Sequence, residues 1–306
     1  MIQEMKDSYP TVSLERFCWL LGLSRQALYK NVWRSKDKGI KEHMVLTEIK
    51  KLRQEHPVIG TRKLHQLLQP FLKHHAIKMG RDALFSTLGE NKLLIRKRRK
   101  RVPTTQSHHW LKKYPNLTVG WHPQAPEQLW VADITYVPCG RNHLYLSLIT
   151  DAYSHKIMGY HIADTLEAVH CNRALAMAIS KRTYQNKLMH HSDRGIQYCS
   201  FDYVNLLKEN AIEISMTQSG DPLENPVAER INGIIKNEYL KHYSIGSLGD
   251  ATSLVADIIE RYNCRRPHQS IQMNTPALAH QQKLLVNRQW NKTKRISTIV
   301  NQLNHL

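Results

Sequence analysis

Acidic side chains are scarce in this chain, 25 Asp and Glu against 44 Lys and Arg, so an acid set within or beside an apolar stretch carries information. Asp133 lies in Trp130-Val131-Ala132-Asp133-Ile134-Thr135-Tyr136, a run rich in β-formers. A carboxylate there needs a hydrogen-bond partner or a cation to offset its desolvation. Asp193 lies in His190-His191-Ser192-Asp193-Arg194-Gly195-Ile196-Gln197-Tyr198, directly after an expected strand, where open α/β sheets place functional groups. Glu229 belongs to Asn225-Pro226-Val227-Ala228-Glu229-Arg230-Ile231-Asn232-Gly233-Ile234-Ile235-Lys236. On a helix, Asn225, Glu229, Asn232 and Lys236 share one face, and Val227, Ile231, Ile234 and Ile235 form the apolar side. Each acid also has an ordinary structural explanation. Asp133 can be bonded to backbone, Asp193 can form an Asx turn or pair with Arg194, and Glu229 can sit on a solvated helix face. The last explanation predicts mixed charges and does not account for the amides. Asp151 stands in for Asp133 if the first strand lies elsewhere.

Three carboxylates from a strand, a strand end and a helix can chelate two divalent cations. Mg²⁺, or Mn²⁺ in its place, takes carboxylate and phosphate oxygens in octahedral geometry. Two such ions about 4 Å apart activate a water or a 3′-hydroxyl and stabilise the leaving oxygen of an in-line attack on phosphorus. The acids are then ligands, and positioning and charge do the chemistry. His190 and His191 invite a metal-ligand role, but adjacent strand residues point to opposite faces, so at most one of them faces the site.

The elements that must hold these groups are a sheet with helices. Residues 129–137, 144–150 and 156–162 are expected strands, with Gly140 turning the first hairpin. A helix over 166–180, a strand over 187–191, a helix over 201–209 and a strand over 212–216 follow. A long helix over 226–240 and another over 254–264 complete the pattern. This order gives an α/β fold, a mixed five-stranded sheet with flanking helices of RNase H-like type, in a core spanning 127–282. Before it, residues 1–43 pattern as a helix-turn-helix. Leu14, Phe17, Cys18 and Leu21 recur at helical spacing, Gly22 breaks the pattern and Ser24 caps the next helix. Arg25, Lys30 and Arg34 incline that unit toward DNA. A second helix-turn-helix spans 44–95, although a plain three-helix unit would show the same pattern. Six consecutive cations, Arg96, Lys97, Arg98, Arg99, Lys100 and Arg101, open a linker over 96–126, and such a block is solvated and suited to nucleic acid. Residues 283–306 form a basic tail.

Charge points the same way, because a net +19 and a pI near 9.8 call for a polyanionic partner. The 41% apolar content supports a packed core rather than a disordered chain. No run approaches the roughly 20 apolar residues of a membrane span, and residues 1–10 lack a signal peptide's apolar stretch. The five scattered cysteines show no zinc spacing and are expected as reduced core thiols of a cytoplasmic protein.

Taken together, these motifs resemble the DDE transposases of bacterial insertion sequences, with a retroviral-integrase-like (rve) core, and among them the OrfB-type proteins of the IS-three family. The resemblance rests on W-V-A-D-I-T-Y at Asp133, H-S-D-R-G-x-Q-Y at Asp193, N-P-V-A-E-R-x-N-G-x-x-K-x-E at Glu229, and R-Y-N-C-R-R-P-H-Q-S over 261–270. The 35 residues between Asp193 and Glu229 match the group's spacing. The resemblance implies strand cleavage at transposon ends and transfer of the 3′-hydroxyl to target DNA, without a covalent protein–DNA intermediate. It implies two Mg²⁺ or Mn²⁺ ions on Asp133, Asp193 and Glu229, and a DNA contact by Lys236. Arg230 departs from the Ser of many relatives and adds a candidate phosphate contact, alongside Arg194, Asn225 and Asn232. Self-association on double-stranded DNA, an upstream-frame helix-turn-helix partner or fusion, and association with the nucleoid are further implications. Two other functions compete: a catalytically silent DNA-binding repressor or domesticated derivative, and a hydrolytic nuclease of RNase H type. The first would require loss of an acid, and the second has no use for two helix-turn-helix units and a basic linker.

Overall fold

The computed structural model describes residues 2–95, 110–218 and 224–282. The cations Arg96, Lys97, Arg98, Arg99, Lys100 and Arg101 and the expected tail over 283–306 lie outside the described residues. Two compact units are present, one of residues Met1–Gln54 and Leu67–Leu94, the other of Glu55–Gln66 and Ile95–Leu306.

The chain begins with helices α1 (Ile2–Ser8), α2 (Leu14–Leu20), α3 (Arg25–Glu55), α4 (Thr61–His74) and α5 (Arg81–Glu90). Ser13 caps α2 through the Arg16 amide, and Ser24 accepts the Ala27 N–H at 3.1 Å to start α3, as its type predicts. Phe17, Cys18, Val45, Ile49, Leu84 and Leu88 are buried. The expected division between residues 43 and 44 falls inside α3, a single 31-residue helix. The reason is the absence of any stop signal between Arg34 and Val45. Gly39 alone costs a helix only about 1 kcal/mol, and no proline intervenes. A further departure is that residues 55–66, from the end of α3 into the first half of α4, belong to the second unit.

The second unit is built on a mixed sheet of β1 (Leu129–Cys139), β2 (Asn142–Asp151), β3 (Ile157–Ala163), β4 (Met189–Ser192) and β5 (Glu213–Met216), ordered β3-β2-β1-β4-β5. Strands β1 to β3 form an antiparallel meander, and β4 and β5 add in parallel beside β1. Gly140 turns the first hairpin at φ +54°, a left-handed conformation that costs glycine little. One face is covered by α6 (Ala168–Ser180), the short α7 (Ile196–Cys199) and α8 (Phe201–Glu209), around Trp130, Ile149, Met158, Leu175 and Leu207. The other is covered by α9 (Pro226–Ile234) and α10 (Leu248–Arg265), around Leu146, Leu148, Ile231, Ile258 and Tyr262. β2 is therefore apolar on both sides, which explains its near-continuous hydrophobic run. The result is the RNase H-like arrangement expected from the order of elements. A last helix, α11 (Pro276–Gln282), has no counterpart in the sequence reading.

The expected helix over 226–240 is corrected. Regular α-helix stops at Ile234 and continues as a π-helical turn over Ile235–Tyr239 and a 3₁₀ turn over Leu240–His242. The side chains of Glu238 and Tyr239 account for it, since Tyr239 is buried in the core and Glu238, partly exposed, is held by a buried arginine. Arg266, fully buried, donates to both Glu238 oxygens at 3.0 and 2.8 Å through Nη2, and Tyr239 meets His56 Nδ1 at 2.8 Å. Apolar periodicity cannot register such polar anchors. The thiols are all free. Cys18, Cys171 and Cys199 are core residues, but Cys264 is exposed, on the outer side of α10. No helix among the described residues is long and apolar enough to cross a membrane.

Candidate active site

The site forms beneath α9, where β4 ends beside the middle of the longer β1. Val131 on β1 pairs with His191 on β4, so Asp133 and Asp193 each stand two residues farther along adjacent chains. Asp133 is half-buried. Its Oδ1 accepts the Ile134 N–H at 2.8 Å, and its Oδ2 accepts the Asn232 amide at 2.7 Å. Burial, and next the Asp193 charge, push this carboxyl up to about 7, with a smaller push from Glu229 and opposed by the Asn232 and Ile134 bonds. Asp193 closes an Asx turn by accepting the Gly195 N–H at 2.9 Å. A Cβ on Gly195 would lie 2.9 Å from Asp193 Oδ1, so any larger residue there would push the carboxylate out of this turn. Glu229 is exposed in the first turn of α9, whose start is set by Pro226 and by the Glu229 N–H bonding to Asn225 O at 3.2 Å.

The structure thus brings together the neighbourhoods of all three acids named from sequence. It changes the assignment of the two amides. Asn225 and Asn232 were expected to face DNA, yet they are 8% and 6% exposed. Asn225 donates to Ala132 O at 3.0 Å, and Asn232 holds Asp133. They fasten α9 to β1, because β1 supplies a carbonyl and a carboxylate where that helix face lands. Arg230 is exposed and Arg194 half-buried. Lys236 lies in the π-helical turn rather than on a continuing α-helix. Arg25 is exposed in the first unit.

Asp151, the stand-in for Asp133, is fully buried and serves as structure. Its oxygens accept the Glu127 N–H at 2.7 Å and the Ser154 N–H and hydroxyl at 2.8 and 2.7 Å. Asp151 and Ser154, three residues apart, close a local side-chain-to-backbone turn that gives it this role. Sequence reasoning also missed buried Glu127, which accepts the Thr183 and Tyr184 N–H groups at 2.8 and 2.7 Å and meets His280 at 3.2 Å. Nothing local to Glu127 announces partners so distant in sequence. His190 is buried against the Tyr203 hydroxyl at 2.8 Å, away from the acids.

No group of three or more His, Cys, Asp and Glu among the described residues is gathered tightly enough to hold a metal ion. The donor set nonetheless fits a hard divalent cation chemically, being all oxygen. Burial first, and then repulsion by Asp193 and Glu229, raise Asp133, and a bound cation offsets both by favouring the ionised form.

Residues 123–222 match the family described as Integrase core domain, and residues 210–276 match a second family of the same description. The chain is 34% identical over 264 residues to the Insertion element IS600 uncharacterized 31 kDa protein of Shigella sonnei, covering 85% of this chain and 96% of that protein. It is 30% identical over 227 residues to the transposase for insertion sequence element IS629 of Shigella sonnei, covering 74% and 75% of the two chains. Among solved structures, the HTLV-2 integrase catalytic core domain in complex with magnesium aligns with 51% of this chain and 97% of that one, at 19% identity and a TM-score of 0.41.

Proposed function

This chain belongs to the bacterial insertion-sequence transposases of the IS-three family with an integrase core, and from that membership we propose that it cleaves DNA strands at transposon ends and transfers the 3′-hydroxyl to target DNA. The observation that carries the proposal is the placing of Asp133, on β1, within electrostatic reach of Asp193 past the end of β4 and of Glu229 on α9, with its carboxyl raised by burial and by those charges. Asp133, Asp193 and Glu229 would hold two Mg²⁺ or Mn²⁺ ions. When bound, such ions supply activation of a water or 3′-hydroxyl and charge stabilisation at phosphorus. The protein's own share is positioning. Asn232 aims Asp133 and favours its ionised form against the burial that raises it, Gly195 donates its N–H to close the Asp193 turn, and Asn225 holds α9 on the sheet. Cleavage and joining are both displacements at phosphorus by an oxygen of water or DNA, so no side chain becomes covalently attached to DNA.

Lys236, Arg230 and Arg194 are the proposed phosphate contacts near the site. Arg25 and the cations Arg96, Lys97, Arg98, Arg99, Lys100 and Arg101 are proposed to grip the duplex farther away, the former through a helix-turn-helix. Bringing two ends together calls for self-association on DNA, and an upstream-frame partner or fusion is compatible with this. The test combines a labelled duplex carrying the element's end, a target plasmid and Mg²⁺. Strand-transfer products are expected. Binding without products would indicate a silent repressor, and hydrolysis without joining a nuclease.

A further inference from the structure

His191 is buried, 1% exposed, in the strand that delivers Asp193, and the mechanism above gives it no task. Its Nε2 lies 3.1 Å from the carbonyl oxygen of Glu224. A carbonyl only accepts, so Nε2 carries the hydrogen and the ring's other nitrogen is an acceptor. The hydroxyl of buried Ser215, at 2.9 Å, donates to that Nδ1. Ser215 Oγ in turn accepts the Leu117 N–H at 2.9 Å, so a residue of the expected linker helps to orient the hydroxyl toward Nδ1.

Glu224 is the residue immediately before Asn225, the N-cap of α9. Its side chain accepts the Gln218 N–H, so this junction is tied on two sides. From it, Asn225 reaches Ala132 O and receives the Glu229 N–H. The imidazole is therefore a side-chain bond between the strand leading to Asp193 and the start of the helix bearing Glu229. Asn232 makes the corresponding bond between that helix and Asp133. We infer that His191 is a positioning residue that sets the spacing of Asp193 and Glu229, and so the affinity of the site for divalent cations. This rests on the metal-binding role proposed above for the three acids.

The experiment titrates Mn²⁺ into the full chain and reads the rise in melting temperature, with DNA binding in EDTA as the check on folding. In His191→Gln the amide nitrogen replaces Nε2 and can still donate to the Glu224 carbonyl. In His191→Asn the shorter side chain reaches only the Ser215 side. The Asn variant is expected to need about tenfold more Mn²⁺ than the unaltered chain, and the Gln variant no more than about threefold, the scale seen when partners of metal ligands are removed. DNA binding should be unchanged in both. Equal Mn²⁺ requirements in the two variants overturn the inference, since a purely structural histidine would not tell the two amides apart by their reach. If His191→Asn does not fold, Ser215→Ala carries the test. It removes the bond that orients the ring from its Nδ1 side and should raise the requirement about threefold or more, and an unchanged requirement overturns the inference. Asp193→Asn keeps the two proposals apart. If it alone abolishes the Mn²⁺ response, the metal site stands and only the role of His191 has failed. If the unaltered chain shows no Mn²⁺ response, both fall.

Discussion

At the residue scale, Asp133 is costly to charge. Asp133 has its carboxyl pushed up to about 7 by burial and by the Asp193 charge, against an unfolded value near 3.9. A raised acid favours folding while it is protonated, and that contribution is lost as pH rises through about 7. A bound cation reverses the penalty, since it favours the ionised form. Mn²⁺ should therefore raise the melting temperature more at pH 8 than at pH 6. Asp133→Asn should melt higher than the unaltered chain at pH 8 without metal and should gain nothing from Mn²⁺. A gain equal at both pH values would mean that Asp133 is not a ligand. Glu229 is exposed and contributes little to packing. Glu229→Gln is expected to abolish joining while leaving end-duplex binding within about threefold, because phosphate contacts and not this carboxylate dominate affinity. Parallel loss of binding and joining, measured by gel shift and strand transfer, would count against a ligand role.

At the element scale, the site depends on how closely the layers approach. Gly159 on β3 lies so near α6 that an added Cβ would stand 2.1 Å from Ala174 O and 2.7 Å from Ala178 N. Both are backbone atoms that cannot step aside. Gly159→Ala should lower stability by about 1–3 kcal/mol, the range for overpacking, read as a reduced urea midpoint. An unchanged midpoint would mean that α6 is free to slide. On the opposite face, the motif over 261–270 works as a clamp. Asn263 bonds Ile157 N and O at 2.9 and 3.0 Å, and Arg266 holds Glu238 in the π-helical turn. Arg266→Leu strands the Glu238 carboxylate, which is still partly solvated, and is expected to cost about 3 kcal/mol, the lower end for breaking a buried pair. Equilibrium unfolding measures it, and a loss below about 1 kcal/mol, the worth of a surface pair, would show that the clamp contributes little.

For the whole molecule, charge dominates. A net +19 implies that DNA affinity falls steeply with salt as condensed counterions are released. Neutralising Arg98, Arg99 and Lys100 should weaken binding to all sequences alike and reduce the slope of log K against log salt by about 2.7 if all three touch phosphates. A loss confined to the element's end sequence would instead make this stretch a base reader. Residues 55–66 belong to the compact unit of the sheet although helical segments flank them in the chain. His56 on Tyr239 and Glu55 O on Arg261, at 2.8 and 3.1 Å, account for their attachment.

The order of strands and helices and the polyanionic partner were legible in the sequence by itself, and the three acids were proposed from it. Each rests on a local or compositional signal: an acid in a β-rich run, alternation against 3.6-residue periodicity, and an excess of cations. The triad of Asp133, Asp193 and Glu229 was named that way. What the tertiary structure decided concerns polar side chains whose partners are remote in sequence. Asn232 turned from DNA to Asp133 across 99 residues, and Asp151 proved to be a scaffold joined to Glu127 across 24. The same holds for the break in the helix of Glu229, drawn by Arg266 and His56, and for the place of His191 between strand and helix. Apolar burial leaves a periodic trace because every turn of an element repeats it. A buried hydrogen bond is made once, between two residues, and its geometry exists only after the chain has folded.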